Sequence, residues 1–255
     1  MKSSDPFQLI SVIVPLYNEA GCLDRSVRQI VAELEELGES SWELLLVDDG
    51  SRDDTRARAA TLAAGDPRIR LLSHDPNQGK GATVRQGMLA GRGELLLFLD
   101  ADLSTPLRDL RLLRLALDAT PADIAIGSRA LPSSRLQARQ PPVREALGRL
   151  GNLAIRLLTP SLADLHDTQC GFKLFRRAAA QRVFAASRID RWGFDFEVLA
   201  LARHLGYRVV EVGVSWRHDP HSKVRSGDYL RTLADLVRLR LDPAWPRVDR
   251  RPPAR

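Results

Sequence analysis

The chain has 255 residues, of which 44% are hydrophobic and 27% charged, so its composition is globular and excludes intrinsic disorder. Only two cysteines occur, Cys22 and Cys170, which excludes a disulfide framework and suits a reducing cytoplasm. We expect Cys170 to be a small buried side chain rather than a nucleophile. The sequence shows no secretory leader and no apolar run long enough to span a bilayer. Membrane contact is therefore expected to be peripheral or made through a membrane-protein partner.

Charge is distributed unevenly along the sequence. Residues 1–125 carry 14 Lys/Arg against 20 Asp/Glu, whereas residues 126–255 carry 24 Lys/Arg against 12 Asp/Glu. The acidic half can host a cation and the basic half can attract anions. The isoelectric point of about 9.9 raises nucleic-acid binding as a rival function. That function needs exposed aromatic residues beside basic stripes, and only 5% of residues are aromatic, so we expect no nucleic-acid partner.

In the first half, short apolar strands alternate with helical patterns. The near-continuous apolar runs predict five strands at residues 10–15, 43–48, 68–73, 94–99 and 122–127. A helix with a 3.6-residue apolar period is predicted over residues 23–37 and should end at Gly38. Another helix is predicted with Thr105 as its N-cap and Pro106 in its first turn. This alternation predicts an α/β fold with a doubly wound, mostly parallel sheet and helices on both faces.

The second half begins with a polar loop over residues 132–142. Later segments are an amphipathic helix (143–158), a Gly-containing turn (167–171), a helix (194–205), a strand (208–215) and a final helix (229–241). The final helix has Leu230, Leu233, Val237 and Leu241 on one face. Both basic amphipathic helices suit either ordinary packing or an anionic membrane surface. We expect one domain over residues 1–243, with a nucleotide-sugar and metal half (1–125), an acceptor half (126–243) and a basic tail (244–255).

Carboxylates follow three of the predicted strands. They are Glu19 after the first strand, Asp48 and Asp49 at the end of the second, and Asp100 and Asp102 after the fourth. In a parallel sheet these positions converge on one crevice, where a divalent cation would relieve their mutual repulsion. Oxygen ligands without Cys or His favour Mg²⁺ or Mn²⁺. Asp100 and Asp102 are therefore the predicted metal ligands, with a diphosphate completing the site.

A glycine-rich segment, Asn77-Gln78-Gly79-Lys80-Gly81, opens the next helical pattern. Its glycines allow close backbone approach, and a helix N-terminus favours an anion, so Lys80 is a candidate phosphate-binding residue. An ordinary loop before a helix is an equally good interpretation of this segment alone. The spacing is not that of a P-loop.

Eight motifs occur in a fixed order: VIVPLYNEA, LLVDDGSRDDT, NQGKGA, LFLDADLST, IGSRA, DTQCGFKLF, WGFDFEVL and VSWRHDPHSK. The set resembles family 2 glycosyltransferases of the GT-A fold, and the later motifs are most similar to the dolichyl-phosphate β-glucosyltransferase branch. The resemblance implies a Mg²⁺- or Mn²⁺-dependent enzyme that moves a sugar from a nucleotide diphosphate-sugar, with UDP-glucose favoured, to a polyprenyl phosphate. A GDP-mannose donor and a hydroxyl acceptor remain alternatives. It also implies action at the cytoplasmic face of a membrane.

The resemblance assigns roles to individual residues. The donor-binding positions are Pro15, Tyr17, Glu19, Val47, Asp49, Lys80, Asp100, Ala101, Asp102 and Ser104. The positions facing the reacting phosphates and sugar are Asp167, Arg129, Arg217 and Lys223. Arg144 aligns loosely with a second acceptor-binding arginine, and Asp195 and Glu197 with the site or its supporting residues. Eukaryotic members carry an N-terminal membrane anchor that this sequence does not show, and His221 replaces a glycine of the usual loop.

The chemistry of the predicted acceptor fits these residue types. A phosphate oxygen is already anionic near neutral pH, so its attack needs cations that hold two anions in line rather than a strong base. Arg129, Arg217 and Lys223 are suitable cations. A hydroxyl acceptor would instead need a base, for which Asp167 or Asp195 is the candidate. Direct displacement would invert the anomeric centre.

Overall fold

The computed structural model describes residues 8–138, 142–218 and 226–241. The strands are β1 (Ile10–Leu16), β2 (Trp42–Asp49), β3 (Ile69–His74), β4 (Leu95–Leu99), β5 (Ile124–Ser128), β6 (Arg135–Ala138), β7 (Phe172–Arg176), β8 (Val209–Gly213) and β9 (Ser215–Arg217). The helices are α1 (Leu23–Glu36), α2 (Thr55–Gly65), α3 (Lys80–Ala90), α4 (Leu110–Ala119), α5 (Pro142–Leu158), α6 (Arg177–Ala186), α7 (Phe194–His204) and α8 (Ser226–Leu241).

Seven strands form one sheet in the order β3-β2-β1-β4-β7-β5-β8, and β6 pairs with β9 in a small second sheet. All neighbours in the large sheet are parallel except β7, which runs antiparallel to both β4 and β5. The predicted mostly parallel α/β sheet is confirmed. Because β7 is reversed, the segment that precedes it reaches the same edge of the sheet as the carboxyl ends of the other strands.

The core lies on both faces of this sheet. Consecutive residues of β1, such as Val12 and Ile13, point to opposite faces and enter two different hydrophobic clusters. One cluster includes residues of α1 and α4, and the other includes residues of α3, α5, α6, α7 and α8. Burial on both faces explains why the strands are almost continuously apolar in sequence.

Several boundaries differ from the predictions. Thr105 is not a helix cap, because a 3₁₀ turn (Leu107–Asp109) intervenes before α4 begins at Leu110. The polar loop contains β6, whose partner β9 lies some 80 residues later in the chain. Such pairing is a long-range contact that local patterns do not report.

The strand predicted over residues 208–215 is divided into β8 and β9, and α2, β7 and α6 were not predicted. The predicted basic tail lies outside the described residues. No helix in the described ranges is long and apolar enough to cross a bilayer.

Candidate active site

The turns after β1 and β2 are hydrogen-bonded to each other at the edge of the sheet where the parallel strands have their carboxyl ends. Asn18, whose φ is +53°, donates its backbone N–H to Ser51 Oγ at 2.9 Å, and its side-chain oxygen accepts from the backbone N–H of Arg52 at 2.8 Å. The backbone N–H of Glu19 donates to Thr55 Oγ1 at 2.7 Å. These bonds fix the segment that carries Tyr17 and Glu19, both of which are half-buried at this edge.

Asp49 fixes the loop that leads into α3. Its carboxylate is almost fully buried and accepts hydrogen bonds from Asn77 Nδ2 at 2.7 Å and from the backbone N–H groups of Gln78 and Gly79 at 2.7 and 2.9 Å. Protein donors therefore surround the carboxylate that the resemblance assigns to the nucleoside. What Asp49 does in this structure is position the glycine-rich loop.

The glycines of that loop are required by a close neighbour. A Cβ at Gly79 would lie 2.4 Å from the carbonyl oxygen of Asp190, and one at Gly81 would lie 2.3 Å from that of Ile189. Glu197 holds this neighbouring segment by accepting the backbone N–H groups of residues 188 and 189. Burial raises the pKa of Glu197 despite those two bonds. Glu197 therefore lies in the supporting structure behind the loop.

Lys80, the first residue of α3, reaches the carboxylate of Asp100, with 2.6 Å between Nζ and Oδ1. Burial alone would lower the pKa of Lys80, but the charges of Asp100, Asp195 and Asp102 outweigh it and raise that pKa. Asp195 is buried and pairs with the fully buried Lys173, whose Nζ also donates to the carbonyl oxygen of Cys170 at 2.7 Å. A connected set of alternating charges therefore lies beneath the site.

Among the residues that the structure describes, Asp102 makes no ion pair, in contrast to Asp100 and Asp195. Burial and then the neighbouring charge of Asp100 raise its pKa to about 6, while its Oδ1 accepts the backbone N–H of Ser104 at 2.8 Å. Within the described parts of the chain, no group of three or more His, Cys, Asp or Glu side chains forms a metal cluster. Two carboxylates in a partly desolvated turn fit Mg²⁺ or Mn²⁺ that takes its other ligands from a diphosphate and water. Such an ion would neutralise charge on the leaving diphosphate.

The start of β7 packs directly against Asp100. A Cβ on Gly171 would lie 2.1 Å from Asp100 Oδ2, so a larger residue here would displace the Asp100 carboxylate. The backbone N–H of Asp100 donates to the carbonyl oxygen of Gly171 at 3.2 Å. The adjacent Cys170 is buried, and burial raises the pKa of its thiol to about 12, as expected for a residue that is not a nucleophile.

Arg129, which follows β5, forms a bidentate ion pair with Asp167. Its Nε lies 2.6 Å from Asp167 Oδ2, its Nη2 lies 2.9 Å from Oδ1, and its backbone N–H also donates to Oδ2. These interactions overcome burial and lower the pKa of Asp167 to about 2. Burial opposes the charge of Arg129, yet Asp167 and, less strongly, Cys170 and Asp100 raise its pKa. Arg129 and Asp100 therefore lie within electrostatic reach of each other in one site.

A second carboxylate, Glu211 on β8, fixes the turn that carries Asp167. Its Oε1 accepts the backbone N–H of Asp167 at 2.7 Å, and its Oε2 lies 3.0 Å from His166 Nδ1. The side chain of Glu211 is only 8% exposed. The sequence offered no signal for this role, because a single Glu in a strand is ordinarily solvent-facing.

Strand β9 brings a further part of the basic half to the loop that carries Asp102 and Ser104. The backbone N–H of Arg217 donates to the carbonyl oxygen of Ser104 at 2.9 Å, and that of Ser215 donates to Asp109 Oδ2 at 2.6 Å. The Arg129 guanidinium carbon lies 5.6 Å from the centre of the Trp216 ring. Arg217 is exposed beside this group, whereas Lys223 and His221 lie outside the described residues.

The structure thus brings most of the predicted residues to one edge of the sheet. Val47 and Ala101 are buried, and Pro15 is half-buried within β1, so Val47 belongs to the core beneath the site. The side chain of Arg144 is not among those described. Sequence reasoning gave no role to the buried Lys173 or to Trp216, although both stand in motifs that it singled out.

The chain is similar to known proteins in both sequence and fold. The dolichyl-phosphate beta-glucosyltransferase ALG5C of Trichomonas vaginalis is 37% identical over 238 residues, which cover 89% of this chain and 69% of the relative. The human dolichyl-phosphate beta-glucosyltransferase is 34% identical, with 92% of this chain and 76% of the relative covered. Glucosyl-3-phosphoglycerate synthase of Mycobacterium tuberculosis, solved with Mn²⁺, UDP and phosphoglyceric acid, superposes with a TM-score of 0.67 at 20% identity, covering 91% of this chain and 78% of that one.

The sheet order and this superposition show the GT-A fold, as the sequence predicted. The family model for glycosyl transferase family 2 matches residues 11–184, and this chain belongs to that family.

Proposed function

We propose that this enzyme transfers glucose from UDP-glucose to a polyprenyl phosphate such as dolichyl phosphate, with inversion at the anomeric carbon and with Mg²⁺ or Mn²⁺. The dolichyl-phosphate β-glucosyltransferases among its relatives support both the sugar and the acceptor. Because these relatives are glucosyltransferases, they do not favour GDP-mannose as the donor.

The observation that carries the proposal is the pairing of Arg129 with Asp167. Both Asp167 oxygens are engaged and its pKa is about 2, so it is a poor base near neutral pH. Burial raises the pKa of Asp195, the other candidate base, but its Oδ1 is paired with Lys173 and its side chain is only 5% exposed, which leaves little room for a hydroxyl acceptor. The site therefore offers an oriented cation where a hydroxyl acceptor would need a base. An acceptor phosphate, which is already anionic, needs only the cation.

We assign Arg129 to the acceptor phosphate, with Arg217 and Lys223 as further cations on the basic side. The side chain of Arg129 is 28% exposed, so it remains partly accessible while Asp167 holds its orientation. A guanidinium held in place loses little freedom on binding and can keep two phosphates at reacting distance. Asp167 is then a positioning residue for Arg129.

On the donor side, we assign Asp100 and Asp102 to the metal and diphosphate, with Ser104 and the backbone at Ala101 close by. In the structure, Lys80 forms an ion pair with Asp100. If Asp100 were to hold the metal, Lys80 would be free to contact a donor phosphate. The turn that carries Tyr17 and Glu19, together with Pro15, Val47 and Asp49, forms the proposed wall for the nucleoside.

The proposed acceptor is a lipid, so we place the reaction at a membrane, on its cytoplasmic face. We also retain a single domain over residues 1–243 as a proposal, with its donor and acceptor halves divided near residue 125.

The decisive experiment incubates the purified protein with a panel of sugar nucleotides, a polyprenyl phosphate and Mg²⁺ or Mn²⁺, and identifies lipid products by mass. We expect a hexosyl lipid from UDP-glucose only, lost when the metal is chelated. NMR of the anomeric proton should show the β configuration. Product from GDP-mannose, retention, or transfer to a free polyprenol would overturn the corresponding part of the proposal.

A further inference from the structure

Helices α5 and α8 expose large aliphatic side chains to solvent. Leu150, Leu153 and Leu157 on α5 are 63%, 48% and 71% exposed. On α8, Leu233, Val237 and Leu241 are 45%, 41% and 73% exposed. The intervals of three or four residues place each set along one side of its helix. We call these six side chains the α5–α8 face.

The α5–α8 face is separate from the sides of the helices that pack on the protein. Ile155 of α5 and Leu236 and Leu239 of α8 are buried in the same hydrophobic cluster. The two helices also contact each other. Since both cover one cluster and turn their exposed residues away from it, the two apolar rows belong to one outer surface. The sequence predicts that Leu233, Val237 and Leu241 share one face of α8, and the structure shows that this face is exposed, while α8 packs through Leu236 and Leu239.

Positive charge on α8 is oriented toward solvent beside this face. The side chains of Arg231 and Arg238 are 70% and 81% exposed, whereas those of their partners Asp228 and Asp235 are 14% and 21% exposed. The ion pairs therefore present their cationic ends outward. Arg240 is also exposed. Exposed aliphatic residues bordered by arginines are the arrangement with which a helix lies in the headgroup region of a bilayer.

Helix α5 is hydrogen-bonded to the acceptor side of the proposed active site. Asn152 of α5 accepts hydrogen bonds on Oδ1 from the hydroxyl and the backbone N–H of Thr168, at 3.1 and 3.2 Å. Thr168 follows Asp167, the residue that orients Arg129. A surface on which α5 rests would therefore lie near the proposed phosphate-binding arginine.

We propose that the α5–α8 face docks on a lipid bilayer that carries anionic headgroups. The biological purpose of this docking rests on the proposed function, since the acceptor would be embedded in that bilayer. The docking itself rests only on the exposed aliphatic residues and the outward arginines, and it can be tested without catalysis.

The test measures sedimentation of the full chain with vesicles that contain no polyprenyl phosphate. Vesicles of phosphatidylcholine alone are compared with vesicles that also contain phosphatidylglycerol. We expect binding to the anionic vesicles, weakened roughly tenfold by Leu157→Gln, because this change removes about one leucine's burial. Leu115→Gln on α4 is the matched control, because Leu115 is a 62% exposed leucine away from this face, and it should change nothing. Glutamine has a helix propensity close to that of leucine, so both helices should persist.

A second arm tests the charge contribution. Arg231→Gln combined with Arg238→Gln should weaken binding to the anionic vesicles by about fivefold or more and leave binding to neutral vesicles unchanged. Circular dichroism melting of every variant shows whether the fold is retained. The triple change Leu150→Gln, Leu153→Gln and Leu157→Gln provides a larger effect if the single change is small.

Three outcomes would overturn the proposal: no binding to either vesicle type, equal weakening by Leu115→Gln and Leu157→Gln, or a wild-type dimer in light scattering that Leu157→Gln dissociates without any vesicle binding. Glucosylation of a water-soluble short-chain prenyl phosphate separates docking from catalysis. Leu157→Gln should leave that rate unchanged. A protein that docks but transfers no sugar would refute the proposed function alone.

Discussion

Individual side chains in the site act through partners that are distant in sequence. Arg129 is oriented by Asp167, Lys80 reaches Asp100, and Lys173 neutralises Asp195. These residues stand in motifs that the sequence shows, but the sequence does not show which of them pair with each other. Sequence motifs predicted that Asp167 and Arg129 belong to the site, but only the structure shows that they bind each other.

Replacing Asp167 with Asn should lower kcat/KM about 100-fold, with the acceptor KM rising more than the donor KM, because Arg129 loses its charged bidentate partner. Asp164→Asn is the control, since Asp164 forms an ion pair with Arg203 but is 62% exposed. Steady-state kinetics with each substrate varied would check this. A fall in kcat alone, with both KM values unchanged, would instead favour a chemical role for Asp167.

The pKa of Asp167 predicts a pH dependence of stability. The folded value of about 2 lies below the ordinary value of 3.8, so ionised Asp167 stabilises the fold above about pH 4. This contribution, roughly 2 kcal/mol, should be lost as the pH falls from about 4 toward 2. Urea unfolding across that range should show a steeper loss for the wild type than for Asp167→Asn. Parallel curves for the two proteins would contradict the assignment.

Gly171 is a position where one methyl group should disable the site. Gly171→Ala places a Cβ 2.1 Å from Asp100 Oδ2, so the carboxylate must leave the position in which it pairs with Lys80. We expect roughly a 100-fold loss of activity and weaker Mn²⁺ binding by calorimetry. Gly148→Ala is the control, because its Cβ would meet nothing within 4 Å. Wild-type Mn²⁺ affinity in Gly171→Ala would show that Asp100 is not a metal ligand.

At the scale of secondary-structure elements, Glu211 couples β8 to the turn at residues 166–167. Glu211→Ala should remove the acceptor for two backbone N–H groups and let this turn, and with it Asp167, move. We expect the acceptor KM to rise about tenfold. Glu211→Gln keeps one acceptor oxygen and should recover part of the loss. If Gln and Ala behave alike, the charge of Glu211 matters rather than its hydrogen bonds.

Elements with strong local patterns were predicted well, and elements defined by distant partners were not. The buried strands β1, β2 and β4 are continuous apolar runs, and α1 has a regular period that ends at Gly38, whose φ is +71°. By contrast, β6 is a polar segment that is a strand only because β9 pairs with it. In the site, Glu211 was missed for the same reason, because its partners come from another part of the chain.

At the scale of the whole molecule, the charge asymmetry predicts a salt effect. The basic second half should attract an anionic acceptor, and dissolved ions screen that attraction over about 10 Å at 0.1 M salt. We expect kcat/KM for a soluble prenyl phosphate to fall several-fold as NaCl is raised, mainly through KM. Potassium glutamate and NaCl compared at equal ionic strength would separate screening from chloride binding. An unchanged KM would show that the charges lie too far from the path of the acceptor.

The reversed strand β7 has a consequence for how the protein is made. It lies between β4 and β5, so the edge of β4 that faces β7 stays unpaired until β7 has been synthesised; Leu95 of β4, for example, pairs with Arg176 of β7. On the ribosome, the first four strands can assemble early while the apolar edge of β4 stays open until some 80 further residues have been synthesised. A growing chain that has not yet reached residue 172 therefore still exposes this apolar strand edge.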